Sequence, residues 1–218
     1  MKRLLSFLTV LLLLMPTTVD ASSTKVNNIG ITCQIDQNGT ATFVEKWDMD
    51  VSEGTEGYKI FNGMDDQPLT LIGVTDDRGV TYKNIGTWDS DVSRESKINK
   101  CGLIKDGGHY ELCFGLGDYG TRSYTMVYQI EHFVNQYKDQ QGINYAFISD
   151  MSLDVADVTI HVTGITPYSK ENAKIWAFGY SGSVNFDNGG VILKTDSLGS
   201  NKMQLLMGLE SNSYTSPN

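Results

Sequence analysis

Asp36-Gln37-Asn38-Gly39-Thr40-Ala41-Thr42-Phe43-Val44-Glu45-Lys46-Trp47-Asp48-Met49-Asp50-Val51 reads as a tight turn followed by a long strand. The Asn38-Gly39 pair tolerates the positive φ that a tight hairpin turn demands. From Ala41 onward the side chains alternate. Ala41, Phe43, Glu45, Trp47, Met49 and Val51 take one side, and Thr42, Val44, Lys46, Asp48 and Asp50 take the other. Period two sustained over this length predicts a strand with one face on a core. The β-prone run 29–35 just before the turn supplies the other arm.

The same grammar continues outward. Short β-prone runs at 58–61, 68–75, 109–116, 123–133, 143–148, 157–163, 174–179, 183–186, 190–195 and 203–209 are separated by Gly- and Asp-containing turns. Asp76-Asp77-Arg78-Gly79 predicts a hairpin from 68–75 into Val80-Thr81-Tyr82. Residues 87–99 are polar and aperiodic and read as loop. Helix signals are scarce, and without crossover helices the strands are expected to pair antiparallel. The predicted fold is all-β, an antiparallel β-sandwich of immunoglobulin-like or jelly-roll-like type. It is read as one domain over 22–210 with a polar tail at 211–218.

Lys2 and Arg3, a largely apolar stretch at 4–15, and the small-residue site Val19-Asp20-Ala21 form a signal peptide over residues 1–21. Its apolar part is too short for a good membrane span, which needs roughly 20 residues. The sequence therefore predicts an exported, extracytoplasmic protein. The chain carries 26 acidic against 17 Lys and Arg residues, a net charge of −9; loss of Lys2, Arg3 and Asp20 with the signal leaves −10. That field opposes nucleic acid and anionic lipid as partners.

Candidate functional residues are few. Glu45 shares a face with Phe43, Trp47 and Met49, where a carboxylate is costly unless bonded. The reading favoured is structural, with bonding to a neighbouring element, ahead of a solvent-facing or ligand-binding role; Glu45→Gln is expected to lower stability. Trp88, in Gly86-Thr87-Trp88-Asp89, is expected to be an exposed loop aromatic and so a binding candidate. The other aromatics, Trp176 and Tyr180 among them, are expected mainly to pack. Cys101 and Cys113 bracket a hairpin and are expected to form a disulfide, with Cys33 a buried thiol; three free buried thiols is the alternative. The acidic turns at 65–66, 76–77 and 187–189 match no calcium loop, the cysteines and histidines match no zinc spacing, and no motif implies a cofactor.

Several stretches also resemble a known family in order and spacing. Ile31-Thr32-Cys33-Gln34-Ile35-Asp36-Gln37-Asn38-Gly39-Thr40-Ala41-Thr42-Phe43-Val44-Glu45 is similar to its opening strand, turn and strand. Tyr124-Thr125-Met126-Val127-Tyr128-Gln129-Ile130 resembles its middle strand. Asn144-Tyr145-Ala146-Phe147 occupies its aromatic motif, with Tyr145 where Trp is more typical. Val158-Thr159-Ile160-His161-Val162 and Trp176-Ala177-Phe178-Gly179 follow in the same order. The resemblance is to the bacterial domain-of-unknown-function family 2207, predicted membrane proteins with an N-terminal extracytoplasmic β-domain. It implies a cell-surface location and membrane attachment through a downstream segment, which this chain lacks as a truncation or as a secreted variant. It supplies no catalytic residues. The expected function is a non-enzymatic surface module contacting a cell-envelope protein or glycan, with a hydrolase of surface polysaccharide or peptide as the alternative.

Overall fold

A computed structural model describes residues 24–151, 153, 155–198 and 202–215; the expected signal peptide and the end of the expected tail, 216–218, lie outside them. The elements in chain order are β1 (Lys25–Ile35), β2 (Ala41–Val51), β3 (Glu56–Phe61), β4 (Leu69–Asp76), β5 (Lys83–Thr87), the single-turn α1 (Arg94–Lys97), β6 (Lys100–Asp106), β7 (His109–Gly115) and β8 (Gly120–Ile130). They continue with β9 (Asn135–Gln136), β10 (Gln141–Ser149), β11 (Val155–Thr163), β12 (Ala173–Phe178), β13 (Ser183–Asp187), β14 (Gly190–Thr195) and β15 (Lys202–Leu209). Among the described residues no helix is long and apolar enough to cross a membrane.

The β1–β2 hairpin forms as its sequence predicts. Asp36 Oδ1 accepts from the Asn38 and Thr40 backbone N–H groups, and Gly39 takes φ 77°, a value its missing Cβ makes accessible. Alternation along β2 is complete, with Ala41, Phe43, Glu45, Trp47, Met49 and Val51 all buried.

The all-β reading holds, but the layout is three sheets, two of them mixed, in place of a two-sheet antiparallel sandwich. A seven-stranded sheet has the order β13-β14-β11-β1-β2-β8-β4, and two four-stranded sheets have the orders β12-β15-β10-β9 and β3-β7-β6-β5. Two pairings are parallel, β1 with β11 and β5 with β6. The first joins strands far apart in the chain, and the second is spanned by a strap whose only helix is the single-turn α1, so the scarcity of helices does not exclude them. The predicted hairpin at Asp76-Asp77-Arg78-Gly79 closes only as far as a Thr75–Thr81 bridge, after which the chain leaves for the β5 sheet.

Both small sheets pack against the same face of the large one. Phe43 of β2 meets Tyr145 and Phe147 of β10, while Trp47, four residues further along the same face, meets Phe114 of β7. Phe43 also stacks on Tyr128 of β8, with centroids 4.8 Å apart and planes within 7°. Buried apolar side chains form one cluster reaching from Val26 to Tyr214. Tyr214 lies inside the segment read as a polar tail. Its backbone N–H donates to Gln141 Oε1 at 2.8 Å, and Gln141 Nε2 donates back to its carbonyl at 3.0 Å.

Candidate functional site

Glu45 sits midway between Phe43 and Trp47 on β2, where the two small sheets meet, and it is fully buried. Trp47 Nε1 donates to its Oε1 at 2.7 Å, and Tyr128 Oη donates to its Oε2 at 2.7 Å. Lys59 Nζ, from β3, lies 2.6 Å from Oε2 and also donates to the Phe147 carbonyl of β10 at 2.8 Å. One ammonium therefore joins all three sheets. Burial, and after it the Glu45 carboxylate, holds the Tyr128 phenol well above its ordinary pKa, so it stays a donor. Each charge is paired and bonded, and this arrangement anchors the fold without presenting a carboxylate to solvent.

Trp88 corrects the sequence reading. It is only 4% exposed, and its Nε1 donates to Glu56 Oε2 at 2.6 Å. The polar stretch after β5 folds back as a strap over the outer face of the β6–β7 hairpin. Gly102 makes room for it, since a Cβ there would stand 2.9 Å from the Gly86 carbonyl. Gly115 does the same at 2.0 Å from the Lys97 carbonyl. Lys97 is buried under the strap, 3.0 Å from Glu56 Oε2, and donates to Thr55 Oγ1 and the Ser90 carbonyl.

The Cys101–Cys113 disulfide does not form, and all three cysteines are free thiols. Opposite Cys101 stands Phe114, and opposite Cys113 stands Gly102. The register is off by one residue, so the two thiols point to opposite faces of the hairpin. Burial pushes the Cys101 thiol up to about 11 and, helped by the Glu56 and Glu111 carboxylates, the Cys113 thiol to about 12. Both stay protonated at neutral pH and are poor nucleophiles. Alkylation of the unfolded, unreduced protein is expected to label three thiols by mass; a shortfall of two would show a different hairpin register.

Beside Trp47, where β2 and β3 diverge, lies a cleft of about 330 Å³. Met49, Ile60, Leu116, Met151 and Leu153 line its apolar part, and Glu53, Glu56 and Asp150 bring carboxylates to it. Asp150 accepts from Asn62 Nδ2 at 3.0 Å. Among the described residues no group of three or more His, Cys, Asp or Glu side chains gathers to hold a metal.

Two exposed aromatics lie away from this cleft, which has Tyr58 on its own wall. On edge strand β12, Trp176 is 47% and Phe178 49% exposed, on the same outward face. Leu206 of β15 stands opposite Trp176, and Gln204 opposite Phe178. Asn144 of β10 completes the row, and Gln204 Nε2 donates to its Oδ1 at 2.5 Å. The sequence signal was the Trp176-Ala177-Phe178 alternation, which reads equally well as packing.

Residues 25–203 match the family described as "Predicted membrane protein (DUF2207) N-terminal domain". No curated protein matches the chain. Among solved structures, native leukotriene A4 hydrolase from Saccharomyces cerevisiae is similar with a TM-score of 0.50 at 7% identity, over 85% of this chain and 29% of that one. An M1 zinc metallopeptidase from Deinococcus radiodurans gives 0.41 at 10% identity, over 85% of this chain and 42% of that one. The chain spans less than half of either structure, and at this identity the yeast likeness is one of fold.

Proposed function

We infer that this chain, which belongs to the DUF2207 family of predicted membrane proteins, is an extracytoplasmic interaction module that holds a cell-envelope protein or glycan. The observation that carries this reading is the outward row of Trp176, Phe178 and Leu206 on the β12 side of its sheet, flanked by the Asn144 and Gln204 amides. Aromatic faces with adjacent amides suit stacking on a sugar ring or covering an apolar side chain. Among the described residues strand β12 also has a hydrogen-bonded strand neighbour on one side only, which leaves an edge for an added strand.

The test is retention of the purified protein on envelope preparations. Trp176→Ala/Phe178→Ala is expected to reduce retention at least about ten-fold while leaving the unfolding midpoint unchanged, as loss of central aromatic anchors does. Protease treatment of the envelope then separates a protein partner from a glycan. Retention equal to wild type would overturn the reading.

A further inference from the structure

The cleft between β2 and β3 is separate from the aromatic face and has a different chemistry. Its apolar part includes two methionines, Met49 and Met151, whose unbranched side chains adapt to varied partners. Its charged members are Glu53, Glu56 and Asp150, and among the described lining residues there is no Lys, Arg or His. We propose that this cleft docks a cationic amphipathic peptide segment, with a Lys or Arg at the carboxylates and an apolar neighbour against Ile60, Leu116 and the methionines.

Three features select that occupant. A space of about 330 Å³ takes one or two side chains, at the lower end of ligand pockets. Glu56 is fixed before any partner arrives, because Trp88 Nε1 and Lys97 Nζ both bond its Oε2. Among the described residues no donor reaches the second oxygen, which leaves it for a donor from outside, and the ordering cost on binding is correspondingly small. Lys97 is buried, so it offsets part of the Glu56 charge from behind without presenting a cation to the cleft. An anionic ligand would meet three carboxylates. The acidic balance of the whole chain adds long-range attraction for a basic partner.

The probe is the blocked peptide acetyl-Leu-Lys-Leu-Lys-Leu-amide, titrated calorimetrically into the whole protein. Two controls replace Lys by Glu, or Leu by Gly. One saturable site is expected, with both controls at least about ten-fold weaker, since each removes one of the two complementary features. Glu53→Gln/Asp150→Asn is expected to weaken binding of the probe by a similar factor; Asn tolerates the positive φ of position 150, so the loop conformation is kept. Trp176→Ala/Phe178→Ala is expected to bind the probe as wild type does, which separates this site from the aromatic face. Absence of saturable binding, equal binding of either control, or an unchanged affinity in Glu53→Gln/Asp150→Asn would overturn the proposal.

Discussion

Lys59→Met is expected to lower the free energy of unfolding by about 3–5 kcal/mol, because it strands the Glu45 carboxylate in the interior without its counter-charge. The geometry argues for the upper part of that range. Glu45 has no exposure, and the Phe147 carbonyl at the same junction would lose its Lys59 donor as well. Trp47 Nε1 and Tyr128 Oη would still reach the carboxylate, but two neutral donors do not replace an ammonium. Glu45→Gln is expected to cost less than Lys59→Met: the amide oxygen still accepts from one of those donors, and Lys59 can relax toward its backbone acceptor. The double variant Glu45→Gln/Lys59→Met is expected to be more stable than Lys59→Met alone, since it removes the unpaired charge and keeps an acceptor. Urea unfolding of the four proteins checks this. A wild-type midpoint for Lys59→Met would mean that the ion pair does not secure the three-sheet junction.

The second large effect is at the β4 edge of the seven-stranded sheet. Asp76→Asn is expected to cost about 3 kcal/mol by breaking a buried, multiply bonded charge. Asp76 Oδ1 accepts the backbone N–H groups of Arg78 and Val80, and its Oδ2 accepts from the Arg78 and Arg122 guanidinium groups. Arg122 is almost buried and also pairs with Asp77 at 2.7 Å. For Asp76, burial alone would push the pKa up, but the Val80 backbone bond and the Arg78 side-chain bond, backbone bond and charge together hold it below the usual carboxylate value. Asp77 is lowered against its own burial by the Ser123 backbone and Arg122.

A carboxylate with a depressed folded-state pKa contributes stability that is complete above its unfolded value, roughly 3.9, and that fades as pH falls through the lower folded value. Wild-type stability is therefore expected to drop below about pH 4, with the gap between wild type and Asp76→Asn narrowing over the same interval. Unfolding midpoints measured from pH 7 down to pH 2 read this out. Parallel profiles for the two proteins would sink the assignment of acid sensitivity to this cluster.

Much of the local structure was legible. The Asn38-Gly39 turn and the alternation from Ala41 to Val51 depend on backbone sterics and side-chain period, which neighbouring residues carry between them. Glu45 was legible as a buried carboxylate needing partners, because five apolar residues share its face. Its distant partners were not legible: Lys59 and Tyr128 come from two other strands, the Phe147 carbonyl that Lys59 also bonds comes from a third, and nothing near Glu45 in the chain names them.

The misreadings have the same origin. A hairpin between Cys101 and Cys113 was correctly read, but whether two residues face each other turns on one residue of register, and composition does not carry that parity. Trp88 looked exposed and Trp176 looked packed, and the fold exchanges them. The strap returns over Gly102 and Gly115 to cover Trp88, while β12 falls at a sheet edge with its outer face uncovered. The strands, the first hairpin and the need for partners at Glu45 follow from interactions local to each segment, and the amino-acid order carries them. The parallel pairings, the meeting of three sheets at one ion pair and the choice of which aromatics reach solvent each depend on which distant segment comes to rest against them, and they emerge with the folded chain.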